Sequence, residues 1–281
     1  MSIDTDDLLR VVRTALEEDL RYGQDATTEA TVPRDAVATA SISPRAFGTV
    51  AGLPAVLAVF DEVIGDYQVL STMEDGAKVG PGDDVLVVRA PVRLLLTAER
   101  TALNLLCHLS GVATATAEWV EAVAGTGVAI RDSRKTLPGL RLLEKYAVRL
   151  GGGVNHRLGL GDAVLIKDNH VAAAGSVTAA LRAARDRAPD LPCEVEVDSL
   201  DQLDEALAEK AELVLLDNFT PERCVTAVRR VADLGATTKL EVSGGLRIAD
   251  ARVYAETGVD YLAVGALTHS APALDLGLDL R

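Results

Sequence analysis

Residues 193–217 read CEVEVDSLDQLDEALAEKAELVLLD. Two short apolar runs, CEVEV (193–197) and LVLLD (213–217), enclose a stretch, DQLDEALAEKA, whose leucines and alanines recur at helical spacing. The same alternation extends in both directions. VAIR (128–131) and AVLIK (163–167) come before it, and KLEVS (239–243) and YLAVG (261–265) follow, with helical stretches such as SVTAALRAARDRA between most of them. Strand and helix alternating at intervals of 20–30 residues predict a parallel α/β fold. The units share a shape but no repeated sequence, so a solenoid is excluded.

Each run ends in, or is quickly followed by, something polar. Arg131 leads into Asp132-Ser133-Arg134-Lys135, and the later runs reach Lys167, Glu196, Asp217, Ser243-Gly244-Gly245 and Gly265. A buried strand carries charge only for a reason, because an unpaired buried charge costs several kcal/mol. In an α/β barrel the C-terminal strand ends share one mouth, where active sites are built.

The first hundred residues read differently. Leu8, Leu9, Val12, Leu16 and Leu20 give an amphipathic helix over 5–21, ended by Gly23. From Ala36 to Val88 come short runs separated by turn chemistry. EDGAKVGPGDDVLVV resembles a biotinyl- or lipoyl-type β fragment, but it lacks an attachment lysine in a hairpin and reads as a plain structural sheet. An Ala- and Leu-rich helix from Leu94 to Ala124, broken or bent near Ser110-Gly111, then leads from the first domain to the second, with the boundary near His108.

Composition narrows the function. The chain has 281 residues, about right for an α/β barrel with a smaller partner. A net charge of −14 argues against nucleic acid as a partner, but a pocket's local potential can oppose it and admit a small anion. Cys107, Cys193 and Cys224 are an odd, widely spaced set, expected as reduced thiols. The start lacks an apolar signal core and no run approaches the length of a membrane helix, so a cytoplasmic location is expected.

Against this acidic background, residues 131–167 hold eight basic residues and three acids, a local balance of 8 − 3 = +5. Arg141 and Lys145 lie four apart on a helical stretch and read as a solvated face. Arg134 and Lys135 follow a strand, Arg157 lies among glycines that let backbone approach a ligand, and Lys167 closes a strand. Arginine suits planar carboxylates and lysine supplies a point charge. Glu196 and Asp217 could serve as acid and base, hold a divalent cation such as Mg²⁺, bind sugar hydroxyls, or pair with Lys167. Ser243-Gly244-Gly245 and Val264-Gly265-Ala266 end the last two strands, where many barrels bind phosphate. His156, beside Arg157, could donate to an anion. A Schiff-base lyase using Lys167 and a non-catalytic sensor of anionic metabolites remain as alternatives.

At these residues the sequence resembles the quinolinate phosphoribosyltransferase family. The matching stretches are EDLRYGQDATT, ERTALNLLCHLSG, RDSRKTLPGLRLLEKYAVRLGGGVNHRLGLGDAVLIKDNH, EVEVDS, LLDNF, EVSGG and GVDYLAVGALTHS, in family order along essentially the whole chain. The resemblance implies that quinolinate and phosphoribosyl pyrophosphate become nicotinate mononucleotide, pyrophosphate and CO₂, for NAD synthesis. It implies an N-terminal α/β sandwich domain over 1–107, joined by the tail 271–281, and an incomplete TIM-like barrel over 108–270. Arg134, Arg157 and Lys167 would hold the quinolinate carboxylates, with Ser133, Lys135 and His156 lining the same pocket. Lys135, Lys167, Glu196 and Asp217 are the implied catalytic set. Glu196 and Asp217 would also bind ribose hydroxyls and, through water, Mg²⁺. Ser243, Gly244, Gly245, Val264, Gly265 and Ala266 would take the 5′-phosphate. Arg100 would reach the site of a second copy in a homodimer.

Overall fold

The computed structural model describes residues 3–281. The chain divides into two compact units. One holds the stretch up to Ala117 with Thr136–Gly152 and Ala266–Arg281, and the other holds Glu118–Lys135 and Gly153–Gly265.

The first unit opens with α1 (Thr5–Asp19), whose N-terminus is capped by Asp4 accepting the Asp7 N–H, and α2 (Ala26–Thr31) follows. An apolar stripe of Leu8, Val11, Val12 and Leu16 packs α1 against α3 (Leu53–Val63). Beneath lies an antiparallel sheet built from β1 (Val37–Pro44), β3 (Gln68–Thr72), β5 (Leu86–Pro91) and β12 (Leu276–Leu280), in the order β12-β1-β5-β3. β2 (Gly48–Thr49) and β4 (Lys78–Val79) form a separate two-stranded ladder. The EDGAKVGPGDDVLVV stretch thus supplies β4 and part of β5. Strand β12 pairs with β1 from Ala40↔Leu280 to Pro44↔Leu276, so the C-terminal tail is a strand of this sheet.

Two sequence expectations need correction. Helix α4 (Val92–Ala122) runs unbroken through Ser110-Gly111. Gly111 answers a need for proximity: a Cβ would stand 2.1 Å from the Pro272 carbonyl oxygen and 2.9 Å from Ala273 Cα. Neither Arg141 nor Lys145 forms a solvated face. On α5 (Arg141–Leu150) Lys145 is fully buried and Arg141 half-buried, with its Nε donating to Thr136 Oγ1. The helix is inside this unit, where buried Glu144 accepts the Leu137 N–H and faces His108 Nε2 at 2.9 Å, and the Tyr146 hydroxyl donates to Asp75. Polar side chains so placed are tolerated because they are paired.

The second unit is a parallel sheet of β6 (Ala129–Arg131), β7 (Val164–Ile166), β8 (Cys193–Val197), β9 (Leu213–Asp217), β10 (Lys239–Ser243) and β11 (Tyr261–Ala263). The spatial order is β6-β11-β10-β9-β8-β7. Helices α6 (Asp168–Ala174), α7 (Val177–Arg187), α8 (Leu200–Ala208), α9 (Pro221–Asp233) and α10 (Ala251–Ala255) connect these strands, while α11 (Ala266–His269) belongs to the first unit. Ser176, Ser199 and Thr220 cap α7, α8 and α9 with side-chain oxygens. Six strands are two short of a full barrel, and β6 and β7 are not paired to each other. Val154 bridges to Arg131 outside β6, where it extends the sheet by a single residue. No helix among the described residues is long and apolar enough to cross a membrane.

Candidate active site

Alternation along the parallel strands decides which side chains face inward. On β8, Val195 and Val197 are buried against the helices, while Glu194 and Glu196 share the other face. On β10, Leu240 and Val242 point out, leaving Glu241 and Ser243 inside. Five of the six strands, together with the segment that follows β6, line one cavity of about 360 Å³ at the C-terminal ends of the sheet. A flat sheet cannot bring its two edge strands to a single pocket, so the sheet is rolled.

This cavity brings together most of the residues expected from the sequence. Ser133, Arg134 and Lys135 come from the segment after β6, and Lys167 from the end of β7. Glu196, Asp217, Ser243, Gly244 and Gly265 come from the strand ends of β8 to β11. His156 and Arg157 arrive on the glycine-rich loop between Leu150 and Val164. Arg134 Nε and Arg157 Nε are buried without a hydrogen-bond partner. Burial pushes the Arg157 guanidinium below its ordinary pKa, and the charge of neighbouring Arg134 adds to that push. Two crowded guanidinium groups with unspent donors are what a multiply charged anion relieves. Lys167 Nζ sits 2.5 Å from Glu196 Oε2, so the ion pair weighed from the sequence is present inside the cavity.

The glycine turn after β10 has a geometric requirement. Gly244 has φ +102°, and a Cβ there would meet Asn218 Oδ1 at 2.2 Å. Asn218, itself at φ 55°, is held by its N–H to the Ser243 carbonyl and by Nδ2 donating to Asp217 Oδ2 at 2.8 Å. The missing side chain of Gly244 therefore makes room for the residue that orients Asp217.

Other expected residues stand apart from the cavity lining. Val264 is buried and its N–H donates to the Arg131 carbonyl, which leaves it no free donor. Gly245 and Ala266 adjoin the lining residues in sequence. Arg100 lies on α4 in the first unit, its side chain 64% exposed and 3.7 Å from Glu99.

Sequence reading missed the floor of the site. Arg131 Nη1 donates to Glu241 Oε2 at 2.6 Å and its guanidinium lies 4.9 Å from the Tyr261 ring centroid. His156 Nε2 is 2.8 Å from Glu194 Oε2 and 3.8 Å from Glu241 Oε1. Burial raises the Glu241 carboxyl to about 7, with the charge of Glu194 adding to the rise. The signal available was a glutamate two residues before a polar strand end, twice: Glu194 before Glu196, and Glu241 before Ser243.

Comparison with known proteins identifies the family. Residues 25–110 match the family described as quinolinate phosphoribosyl transferase, N-terminal domain, and residues 112–279 match its C-terminal domain. The chain belongs to the quinolinate phosphoribosyl transferase family. A nicotinate-nucleotide pyrophosphorylase [carboxylating] of Mycobacterium leprae is 62% identical over 96% of this chain and 95% of its own length. The Homo sapiens protein of that name is 40% identical over 86% of this chain and 82% of its own. Among solved structures, the nicotinate-nucleotide pyrophosphorylase of Francisella tularensis superposes with a TM-score of 0.95 at 38% identity, covering 100% of this chain and 98% of that one. This quinolinate phosphoribosyl transferase family member therefore shares its fold with a relative along its whole length.

Proposed function

We propose that this enzyme transfers the phosphoribosyl group of phosphoribosyl pyrophosphate to quinolinate, yielding nicotinate mononucleotide, pyrophosphate and CO₂ in the synthesis of NAD. The observation that carries the reading is the pair of buried, unpartnered guanidinium Nε groups of Arg134 and Arg157 in a cavity shared with Lys167. A pyridine ring with two adjacent carboxylates supplies the charge and planarity that such a set recognises.

In this reading Arg134, Arg157 and Lys167 hold the carboxylates, with Ser133 and His156 along the same wall. Lys135 meets the leaving pyrophosphate, and Glu196 and Asp217 accept hydrogen bonds from ribose hydroxyls. The turns Ser243-Gly244-Gly245 and Val264-Gly265-Ala266 are the candidates for the 5′-phosphate, with Gly244 and Gly265 at the cavity wall. The ring nitrogen attacks the anomeric carbon as pyrophosphate departs, so catalysis is positioning and preorganised charge, with no covalent nucleophile. Quaternising that nitrogen makes the adjacent carbon tolerant of negative charge, and its carboxylate leaves as CO₂.

Mg²⁺ is the proposed cofactor, held by Glu196 and Asp217. These two hard oxygen donors face a neighbouring cleft of about 310 Å³ that also exposes Asp168 and Asp198, a donor set suited to Mg²⁺. When bound, the cation would neutralise the pyrophosphate. We place the enzyme in a reducing cytoplasm, which agrees with its three unpaired cysteines, and as a homodimer in which Arg100 serves the partner's cavity. Its exposed side chain, with Glu99 at 3.7 Å, supports that role.

The deciding assay supplies quinolinate, phosphoribosyl pyrophosphate and Mg²⁺ and measures pyrophosphate, CO₂ and nicotinate mononucleotide together. Stoichiometric release of all three is expected. No release would overturn the reading in favour of a sensor or a lyase.

A further inference from the structure

The loop that presents Arg157 has little architecture of its own. Between Leu150 and Val164 it forms no helix and no strand beyond the single Val154 bridge, and it contains Gly151, Gly152, Gly153, Gly159 and Gly161. Its shape depends on a few polar anchors. Asp132 accepts the His156 N–H at 2.7 Å and Asn155 Nδ2 at 2.6 Å, and Asp162 accepts the Leu158 and Gly159 N–H groups. His156 is the anchor that reaches inward. Its Nδ1 accepts the main-chain N–H of Arg157 at 2.7 Å, which places the ring proton on Nε2, and Nε2 then donates to Glu194 Oε2 at 2.8 Å.

Glu194 is an unusual residue to find there. It projects from the second position of β8 and is 4% exposed, and its Oε1 has no partner. A half-satisfied buried carboxylate is a liability to the fold, and an apolar residue would be the cheaper occupant. It lines a second cavity, of about 660 Å³, on the side of the charged floor nearer the N-terminal strand ends, a cavity that His156 and Arg157 also line. The substrate cavity has Glu241 in its lining instead. Glu194 therefore holds the loop from below, at the side away from the substrate cavity.

We propose that Glu194 is a positioning residue: through the His156 ring it fixes the main chain of Arg157, and so sets the affinity of the site for the paired carboxylates of its substrate. The inference rests on the dicarboxylate reading of the cavity. A displacement of a binding group by about an ångström is enough to cost large factors in function.

Three variants test it in the intact enzyme. Glu194→Gln keeps an oxygen that can accept from Nε2, Glu194→Leu keeps the volume without an acceptor, and Glu194→Asp draws the carboxylate back by one methylene. With Leu, KM for quinolinate should rise about tenfold or more, while KM for phosphoribosyl pyrophosphate stays within about twofold. The Gln variant should restore quinolinate KM to near the wild-type value. A quinolinate KM unchanged in the Leu variant, both KM values rising together, or a Gln variant as impaired as the Leu variant would each overturn the proposal. Should the Leu variant fail to fold, calorimetry on the Asp variant decides: weaker quinolinate binding supports the proposal and unchanged binding overturns it. A wild-type enzyme that makes no nicotinate mononucleotide would instead overturn the functional reading, so the two failures are distinguishable.

Discussion

Glu241 shows what a single side chain can report about the whole barrel. It is faced by Arg131 from β6, His156 from the glycine-rich loop and Glu194 from β8, and its carboxyl is raised from 4.5 to about 7. The folded chain thus holds a proton that the unfolded chain releases near 4.5. Its stabilising contribution is complete below the unfolded value and is lost as pH rises through the folded one. Against a Glu241→Gln variant, which has nothing to titrate, wild-type stability should decline between about pH 4.5 and 7 in chemical denaturation. Parallel curves for the two proteins would refute this titration. Lys167 carries a prediction of another kind. In the proposed site, Lys167→Ala would remove a charge-assisted partner from a substrate carboxylate, and it leaves Glu196 without its 2.5 Å counter-charge. Quinolinate binding should weaken on the order of ten- to a hundredfold, read by calorimetry.

Among the elements, the buried parallel strands were the most legible. The runs CEVEV, LVLLD and KLEVS are strands at the residues their composition marks, because a strand covered on both faces is a nearly continuous apolar segment. The polar residues at or next to their C-terminal ends also gave away the rim. The floor was hidden, since a glutamate in mid-strand looks solvent-facing until the rolled sheet puts Glu194 and Glu241 on its inside. Helix α5 was misread for a related reason. Charges at helical spacing signify water only if the opposite face is the buried one, and here Lys145 is itself buried, beside Glu144 and Tyr146, whose partners His108 and Asp75 come from distant sequence. Gly111 teaches the same lesson, because a glycine that permits close approach is indistinguishable in sequence from one that permits a bend. Gly111→Val would drive a side chain into the main chain at Pro272 and Ala273, and overpacking of this kind costs about 1–3 kcal/mol or more. A thermal midpoint equal to wild type would show that the tail yields freely. Gly244→Ala combines strained φ with the 2.2 Å contact to Asn218, and turnover should drop even where the fold survives.

At the scale of the whole molecule, the proposed homodimer makes activity a shared property. Arg100→Ala and Lys167→Ala subunits, each impaired alone, should recover some activity when mixed, because hybrid dimers rebuild one complete site. No recovery after confirmed subunit exchange would count against a shared site. The β1–β12 pairing bears on how the protein is made. Ala40 and Leu280 are partners across 280 − 40 = 240 residues. At about 5–20 residues per second, translation leaves the β1 edge waiting on the order of tens of seconds for its neighbour. Once β5 is made, and for the rest of that interval, a nascent three-stranded sheet offers unpaired backbone groups to any other chain on the same polysome. Yield in a heterologous host should therefore depend on translation speed and chaperone supply more than the finished fold would suggest.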